Sequence, residues 1–153
     1  MTTSTTPNTP PDSGWLTDLT EKQKQNLAGA KVDVFCGLRA ANGLVMDIED
    51  GVMRLFRDDH AEPLEFPVAS TSYSRVPGTP MRPALARALV YQRDWEVQRA
   101  SLTNDNGDAL NQAQYDDALS EYEMGLPDLY DALIMEYAGA IFQPAVPGQG
   151  GNA

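Results

Sequence analysis

Residues 44–56 read LVMDIEDGVMRLF, and the interpretation of this stretch decides how the rest of the chain is read. Asp50-Gly51 separates two alternating runs. A two-residue type I′ turn needs positive φ at both central positions, and Asp-Gly tolerates that. Pairing outward from the turn puts Ile48 opposite Met53 and Met46 opposite Leu55 on one face. The other face sets Asp47 opposite Arg54 and Val45 opposite Phe56. Turn chemistry, apolar register and a cross-strand ion pair agree on a β-hairpin.

The flanks are read outward from that hairpin. LEFPVAS (64–70) adds a short strand, which Pro67 confines to a sheet edge. KVDVFCGLRAANG (31–43) is ambiguous. Val32, Val34, Cys36 and Leu38 alternate as in a strand, whereas Leu27, Val34, Phe35 and Leu38 also suit a helix stopped at Asn42-Gly43, and the reading leans to helix. LTEKQKQNLAGA (19–30) reads as a helix, with Thr20 and Gln23 spaced as a capping box. Residues 1–14 are Thr, Pro, Ser and Asn with little to bury, so a disordered tail is expected there, and again over 143–153. The hairpin region spans 15–66, and a Pro/Ser/Gly-rich linker is expected over 67–82.

Pro83 suits the first position of a helix. That helix carries Arg87, Arg93 and Arg99 just after Arg82, and it stops at TNDNGD (103–108), where Asn and Gly accept a left-handed backbone. A second helix is expected over Gln112–Met124. Gly125 ends it, and Pro127 opens a third in which Leu129, Leu133, Tyr137 and Ile141 recur every four residues. Short connections favour antiparallel packing. The expected fold is α+β and helix-dominated, with a small N-terminal hairpin-containing part and a C-terminal three-helix part over 83–142.

Charge sharpens this division. The net charge of −11 disfavours a basic face for nucleic acid or anionic lipid. Residues 1–99 hold all 11 basic residues and a net charge of −2. Residues 100–153 hold nine acids and no basic residue, a net of −9. This is the pattern of an acidic recognition face or of a solubilising surface. No run of about 18 apolar residues predicts a membrane span. The N-terminus has no secretory pattern, and one cysteine permits no internal disulfide, so a cytoplasmic location is expected.

Catalytic motifs fail one by one. HAEP (60–63) has the H-x-E of a zinc deaminase, but one cysteine cannot complete that site. His60 is the single histidine, so a multi-histidine zinc site is excluded and a solvated loop residue is expected. Taking Gly107 as the sixth position of an EF-hand loop would make Leu102 and Ala113 the end ligands, which they cannot be. Phosphate-cradling glycine motifs and a G-x-S-x-G elbow are absent. No enzyme activity, cofactor or metal is expected, and Cys36 reads as a small core residue.

The regular feature is a set of tyrosines among acids. Tyr115 and Tyr122 lie seven apart, as do Tyr130 and Tyr137, so each pair shares a helical stripe. With Met124 and the carboxylates of Asp116, Asp117 and Asp131 they form a candidate partner-binding face. Tyrosine brings apolar area with a polar tip, and methionine brings adaptability. Such a face suits a basic amphipathic helix. The alternative is that the tyrosines form a rim of the helical core, or that the arginines of residues 82–99 neutralise the acids within the chain.

Val97 to Ile141 resembles the C-terminal part of the tail assembly chaperones of long-tailed bacteriophages. The resemblance is carried by Ala100-Ser101-Leu102, Asn106-Gly107-Asp108, Ala109-Leu110, Asp116-Asp117-Ala118-Leu119, Gly125-Leu126-Pro127 and the helix from Asp128 to Phe142. Leu110 stands where that family usually has an aromatic residue. The resemblance implies a non-enzymatic holdase that keeps a long, helical tape-measure protein soluble, recruits tail-tube subunits and leaves before the virion is complete, in the host cytoplasm. In that family many members are made in two lengths by a programmed frameshift. Two other classes fit the same composition: a structural virion component of the neck, connector or tail, and an acidic mimic of nucleic acid that blocks a DNA-binding protein.

Overall fold

The computed structural model describes residues 8–142. The elements are β1 (Ser13–Trp15), a 3-10 turn (Leu16–Asp18), α1 (Glu21–Leu27), β2 (Lys31–Cys36), β3 (Arg39–Glu49), β4 (Val52–Phe56), β5 (Leu64–Pro67), a second 3-10 turn (Val68–Ser70), β6 (Ser72–Arg75), α2 (Pro83–Leu102) and α3 (Gln112–Phe142). The six strands form one antiparallel sheet in the order β1-β6-β2-β3-β4-β5. The class is mixed α+β, and a full sheet stands where a helix-dominated chain with one small hairpin was expected. The chain divides into two compact units after Asp94, within α2.

The hairpin that anchors the reading is β3–β4. Asp50 (φ 54°) and Gly51 (φ 77°) make its turn, and Ile48 faces Met53 while Asp47 faces Arg54. Arg54 Nε donates to Asp47 Oδ1 at 2.8 Å, with the Asp94 carboxylate 3.8 Å from Nη1. Beyond Asp47 the register departs from simple alternation. A β-bulge between Val45 and Asp47 sets Val45 opposite Leu55 and Leu44 opposite Phe56. The consecutive residues Val45 and Met46 are both buried, which strict alternation forbids and an inserted residue allows.

Gly43 is the corner of the sheet. β3 pairs with β2 along Arg39–Leu44 and with β4 along Leu44–Glu49, so it changes partner there. A Cβ on Gly43 would stand 2.3 Å from the Phe56 carbonyl oxygen and 3.1 Å from side-chain carbons of Leu55 and Arg57. The degree of bending follows from the register. Phe66 pairs with Met53, and Met53 with Ile48. On a flat sheet Phe66 would therefore lie about 30 Å along β3 from Arg39. Instead the Arg39 guanidinium lies 4.1 Å from the Phe66 ring centroid. No arginine side chain spans such a gap, so β3 folds over and brings its first half above β5. Cys36 Sγ, 3.5 Å from Ser70 Oγ, joins the same seam.

The folded sheet encloses a core of Val32, Val34, Val45, Ile48, Met53, Leu55, Phe66 and Tyr73, joined by Leu16, Leu19 and Leu27 from the turn and helix before it. Two expectations are corrected here. The stretch 31–43, read as leaning to helix, is β2 and the start of β3. Val32 and Val34 are fully buried on the period-2 face, and partners on both edges settle the choice. Residues 72–75, inside the expected linker, form β6 between β1 and β2. One inward aromatic, Tyr73, and backbone pairing on both edges suffice to make a strand of a serine-rich stretch. Thr71, fully buried beside it, donates its hydroxyl to the Pro67 carbonyl oxygen at 2.6 Å.

α1 starts with the expected capping box of Thr20 and Gln23, and β5 is an edge strand that ends at Pro67. Of the expected N-terminal tail, residues 1–7 lie outside the described residues, as do 143–153 at the other end. Residues 8–12 form a strap over the sheet unit rather than a disordered tail. Asn26 Nδ2 donates to the Asn8 carbonyl oxygen at 3.0 Å, Gln23 Nε2 to that of Thr9 at 3.4 Å, and the Tyr73 hydroxyl to that of Pro11. The Arg75 N–H donates to the Asp12 carbonyl oxygen at 2.7 Å. Side-chain donors from α1 and β6, with one backbone N–H of β6, supply the order that an apolar-poor segment lacks by itself.

α2 begins at Pro83 and ends at Leu102, as the sequence implies. The expected second and third helices are one. α3 continues through Gly125 and Pro127. Pro127 removes one backbone donor, a local penalty of roughly 3 kcal/mol. The half-buried positions Tyr115, Leu119, Tyr122, Leu126, Leu129 and Leu133 keep a three-to-four-residue spacing across it, and that continuous stripe outweighs the local break.

Gly43→Ala is expected to lower stability by about 3 kcal/mol or more in urea denaturation, because the clashing atom is a backbone oxygen that cannot rotate away. An unaltered midpoint would contradict the folded corner. A second prediction concerns alkali. Burial, and then the Asp12 charge, push the Tyr73 hydroxyl up to about 12 from an ordinary 10. The unfolded chain therefore loses this proton first. The contribution is intact below pH 10 and disappears as pH rises from 10 to 12. Tyr73→Phe should flatten the loss of stability across that window, and an equal loss in both proteins would refute the assignment.

Candidate functional site

The helical unit, from Trp95 onward, holds the sequence-predicted face. Its organising contact is aromatic. Trp95 on α2 stacks on Tyr122 of α3, with ring centroids 4.7 Å apart and planes at 14°, and meets Tyr115 in a tilted arrangement at 6.2 Å. This contact makes the end of α2 and the start of α3 antiparallel neighbours. The connection between them is self-contained. Asn104 Oδ1 accepts from the Asn106 and Asp108 amides at 2.9 and 3.0 Å, Gly107 takes φ 86°, and the Leu110 N–H returns to the Leu102 carbonyl oxygen at 2.9 Å. Asn111 caps α3 by accepting from the Gln114 amide at 3.0 Å. A side-chain amide oxygen thus closes the loop on its own backbone N–H groups. No group of three or more metal-ligating side chains gathers among the described residues.

α3 shows two faces. The half-buried stripe carries Tyr115, Ala118, Leu119 and Tyr122. The exposed surface carries two rows. One runs Tyr130, Ile134, Tyr137, with spacing of four and three residues, and these are 55%, 63% and 56% exposed. The other runs Met124, Asp128, Asp131, Met135, and its methionines are more than two-thirds exposed. At 100° per residue the two rows are centred roughly 120° apart, with Ile134 and Asp131 on their facing edges, so together they wrap about half of the helix. Monomeric soluble proteins seldom leave so many large apolar groups together in water, and such clusters mark interaction surfaces.

The structure therefore divides the predicted residues. Met124, Tyr130, Asp131 and Tyr137 lie on the exposed face. Asp116 and Asp117 are exposed several turns nearer the start of α3. Tyr115 and Tyr122 turn toward Trp95 and belong to the packing of the unit. Ile134 and Met135 complete the exposed face and were not among the predicted site residues. The apolar run Leu133-Ile134-Met135 reads as core, although Ile134 lies four residues after Tyr130 and three before Tyr137. Elsewhere, His60 is an exposed loop residue whose Nδ1 is 2.8 Å from Asp59 Oδ1. Cys36 is packed against the sheet core, with its thiol pKa lowered by hydrogen bonding to Ser70 and then Thr71. No helix among the described residues is long and apolar enough to cross a membrane.

Comparison with protein-family models, curated proteins and solved structures finds no match to this chain.

The division into packing and exposed tyrosines is testable. Tyr122→Ala should cost about 1–2 kcal/mol in a denaturation followed by tryptophan fluorescence, because it removes a stacked, half-buried ring. Tyr130→Ala should change stability by less than about 0.5 kcal/mol. Equal losses at Tyr122 and Tyr130 would remove the distinction.

Proposed function

We propose that the protein is a non-enzymatic chaperone that holds a long, helical protein partner through the exposed face of α3. The observation that supports this is the pair of exposed rows, Tyr130-Ile134-Tyr137 and Met124-Asp128-Asp131-Met135, on a segment with nine acids and no basic residue. Charge selects the occupant. A second copy of α3 would set like charges against each other, whereas a helix with an apolar stripe and a basic flank complements the Tyr130-Ile134-Tyr137 row and the carboxylate of Asp131 beside it. The magnitudes assign the roles. Fully burying a Tyr-, Ile- or Met-sized side chain contributes roughly 1.5–3 kcal/mol, and an exposed ion pair about 0–1 kcal/mol. The apolar rows supply the affinity, and the acids supply the approach rate and the orientation.

The resemblance of Val97–Ile141 to the tail assembly chaperones of long-tailed phages gives this reading its specific form. The partner is then a tape-measure-like protein, with tail-tube subunits as a second client, and the work is done in the host cytoplasm. Adaptable methionines and a single binding helix suit a client that must be released.

The experiment is a pull-down of the tagged full-length protein from its native infected or induced cells, washed at about 0.1 and then 0.5 M salt, alongside a Tyr130→Ala/Ile134→Ala/Tyr137→Ala variant and purified particles. The expected result is a long helical partner that survives high salt, is lost in the variant, and leaves the particle without this protein. Basic DNA-binding proteins that wash off with salt and ignore the variant would replace this reading with the acidic mimic. A fixed copy number in the particle would replace it with a structural component.

A further inference from the structure

A cavity of about 340 Å³ lies in the sheet unit. The strap closes it on one side with Pro10. The last turn of α1 contributes the amide side chains of Gln25 and Asn26, and the entry to α2 contributes Met81 and Pro83. Arg75, at the end of β6, is the lining residue with a charge.

The hydrogen bonding of Arg75 is incomplete. A guanidinium carries five N–H donors and always holds its charge. Here Nη2 donates to the Thr79 carbonyl oxygen at 3.3 Å, a long bond to a neutral acceptor. Nε is shut off from solvent and has no hydrogen-bond partner among the described residues. The nearest carboxylate, Asp12, stops 4.0 Å from Nη1, and its side chain is 91% exposed. A partly desolvated cation with unused donors gains more from an anion than a hydrated one does, because it has already lost water that nothing has replaced.

We propose that this cavity binds a small organic carboxylate, with the acid group end-on to the Nη1 and Nη2 edge of Arg75 and the apolar body against Pro10, Met81 and Pro83. A single positive charge with apolar walls matches a monocarboxylate, whereas a phosphate dianion would keep an uncompensated charge. Asp12 is the internal competitor. It offers the same group to the same edge, from a strap that lies over the cavity, without reaching hydrogen-bonding distance.

Calorimetric titration of the full-length protein with 3-phenylpropanoate, its neutral amide and inorganic phosphate, at constant ionic strength, tests this directly. The acid is expected to bind about tenfold or more tighter than the amide, as a charge-assisted pair requires. Arg75→Gln should abolish that preference. Asp12→Asn, which leaves the strap's backbone bonds intact, should tighten acid binding about two- to fivefold by removing the competitor. An acid that binds no better than its amide, or neither binding at millimolar concentration, overturns the proposal. So does binding that ignores both variants, or phosphate bound in preference to the acid.

Discussion

The close approach of the Phe56 carbonyl oxygen to Gly43 is the constraint on which the sheet unit depends. Any side chain at that position would hold β3 and β4 apart at the corner where β3 changes partner. With the corner made, the two halves of one 11-residue strand serve different neighbours. The bulge at Met46 follows directly after it and lets two consecutive residues enter the core. Arg39 then reaches the Phe66 ring, a cation–π contact worth about 0.5–1 kcal/mol. That energy is small beside the burial of Val45, Met53, Leu55 and Phe66. The contact marks where the seam closes, and the core supplies the stability.

The helical unit solves a different problem. Helix interiors with many like charges lose a few tenths of a kcal/mol for each close pair, and α3 carries acids along its whole exposed side. Trp95 offsets this at the start of the helix by stacking on Tyr122 and meeting Tyr115. Farther along, the exposed rows from Met124 to Tyr137 carry apolar area that the described residues leave open to water. In a stable monomer that area is a liability. On the proposed reading it is the working surface, and the carboxylates beside it would favour a basic partner.

Much of the sheet's local chemistry was legible in the sequence. Asp50-Gly51 announced its turn, Thr20 and Gln23 their capping box, and Pro67 its edge. These signals are local, so no distant partner is needed to interpret them. The strands β2 and β6 were not legible for the opposite reason. Val32 and Val34 fit two periods, and Ser72-Tyr73-Ser74-Arg75 has one apolar residue. Their identity rests on neighbours about 40 residues apart in the chain, such as the Val34–Tyr73 and Val32–Arg75 pairs. The bulge was hidden because alternation counts residues and cannot show which one is extra. In the candidate site, the tyrosine spacing was visible, but which pair faces Trp95 depends on α3 running unbroken past Pro127. Ile134 stayed hidden because an apolar run looks the same whether a core or a partner is meant to cover it, whereas Met135 was visible beside the tyrosines.

The most direct test of the central claim is backbone amide exchange, residue by residue, on the full-length protein alone and saturated with its captured helical partner. The account predicts slowed exchange concentrated between residues 124 and 137, with the strands of the sheet unit unchanged. Protection centred on the sheet, or exchange along α3 that is the same with and without the partner, would contradict it.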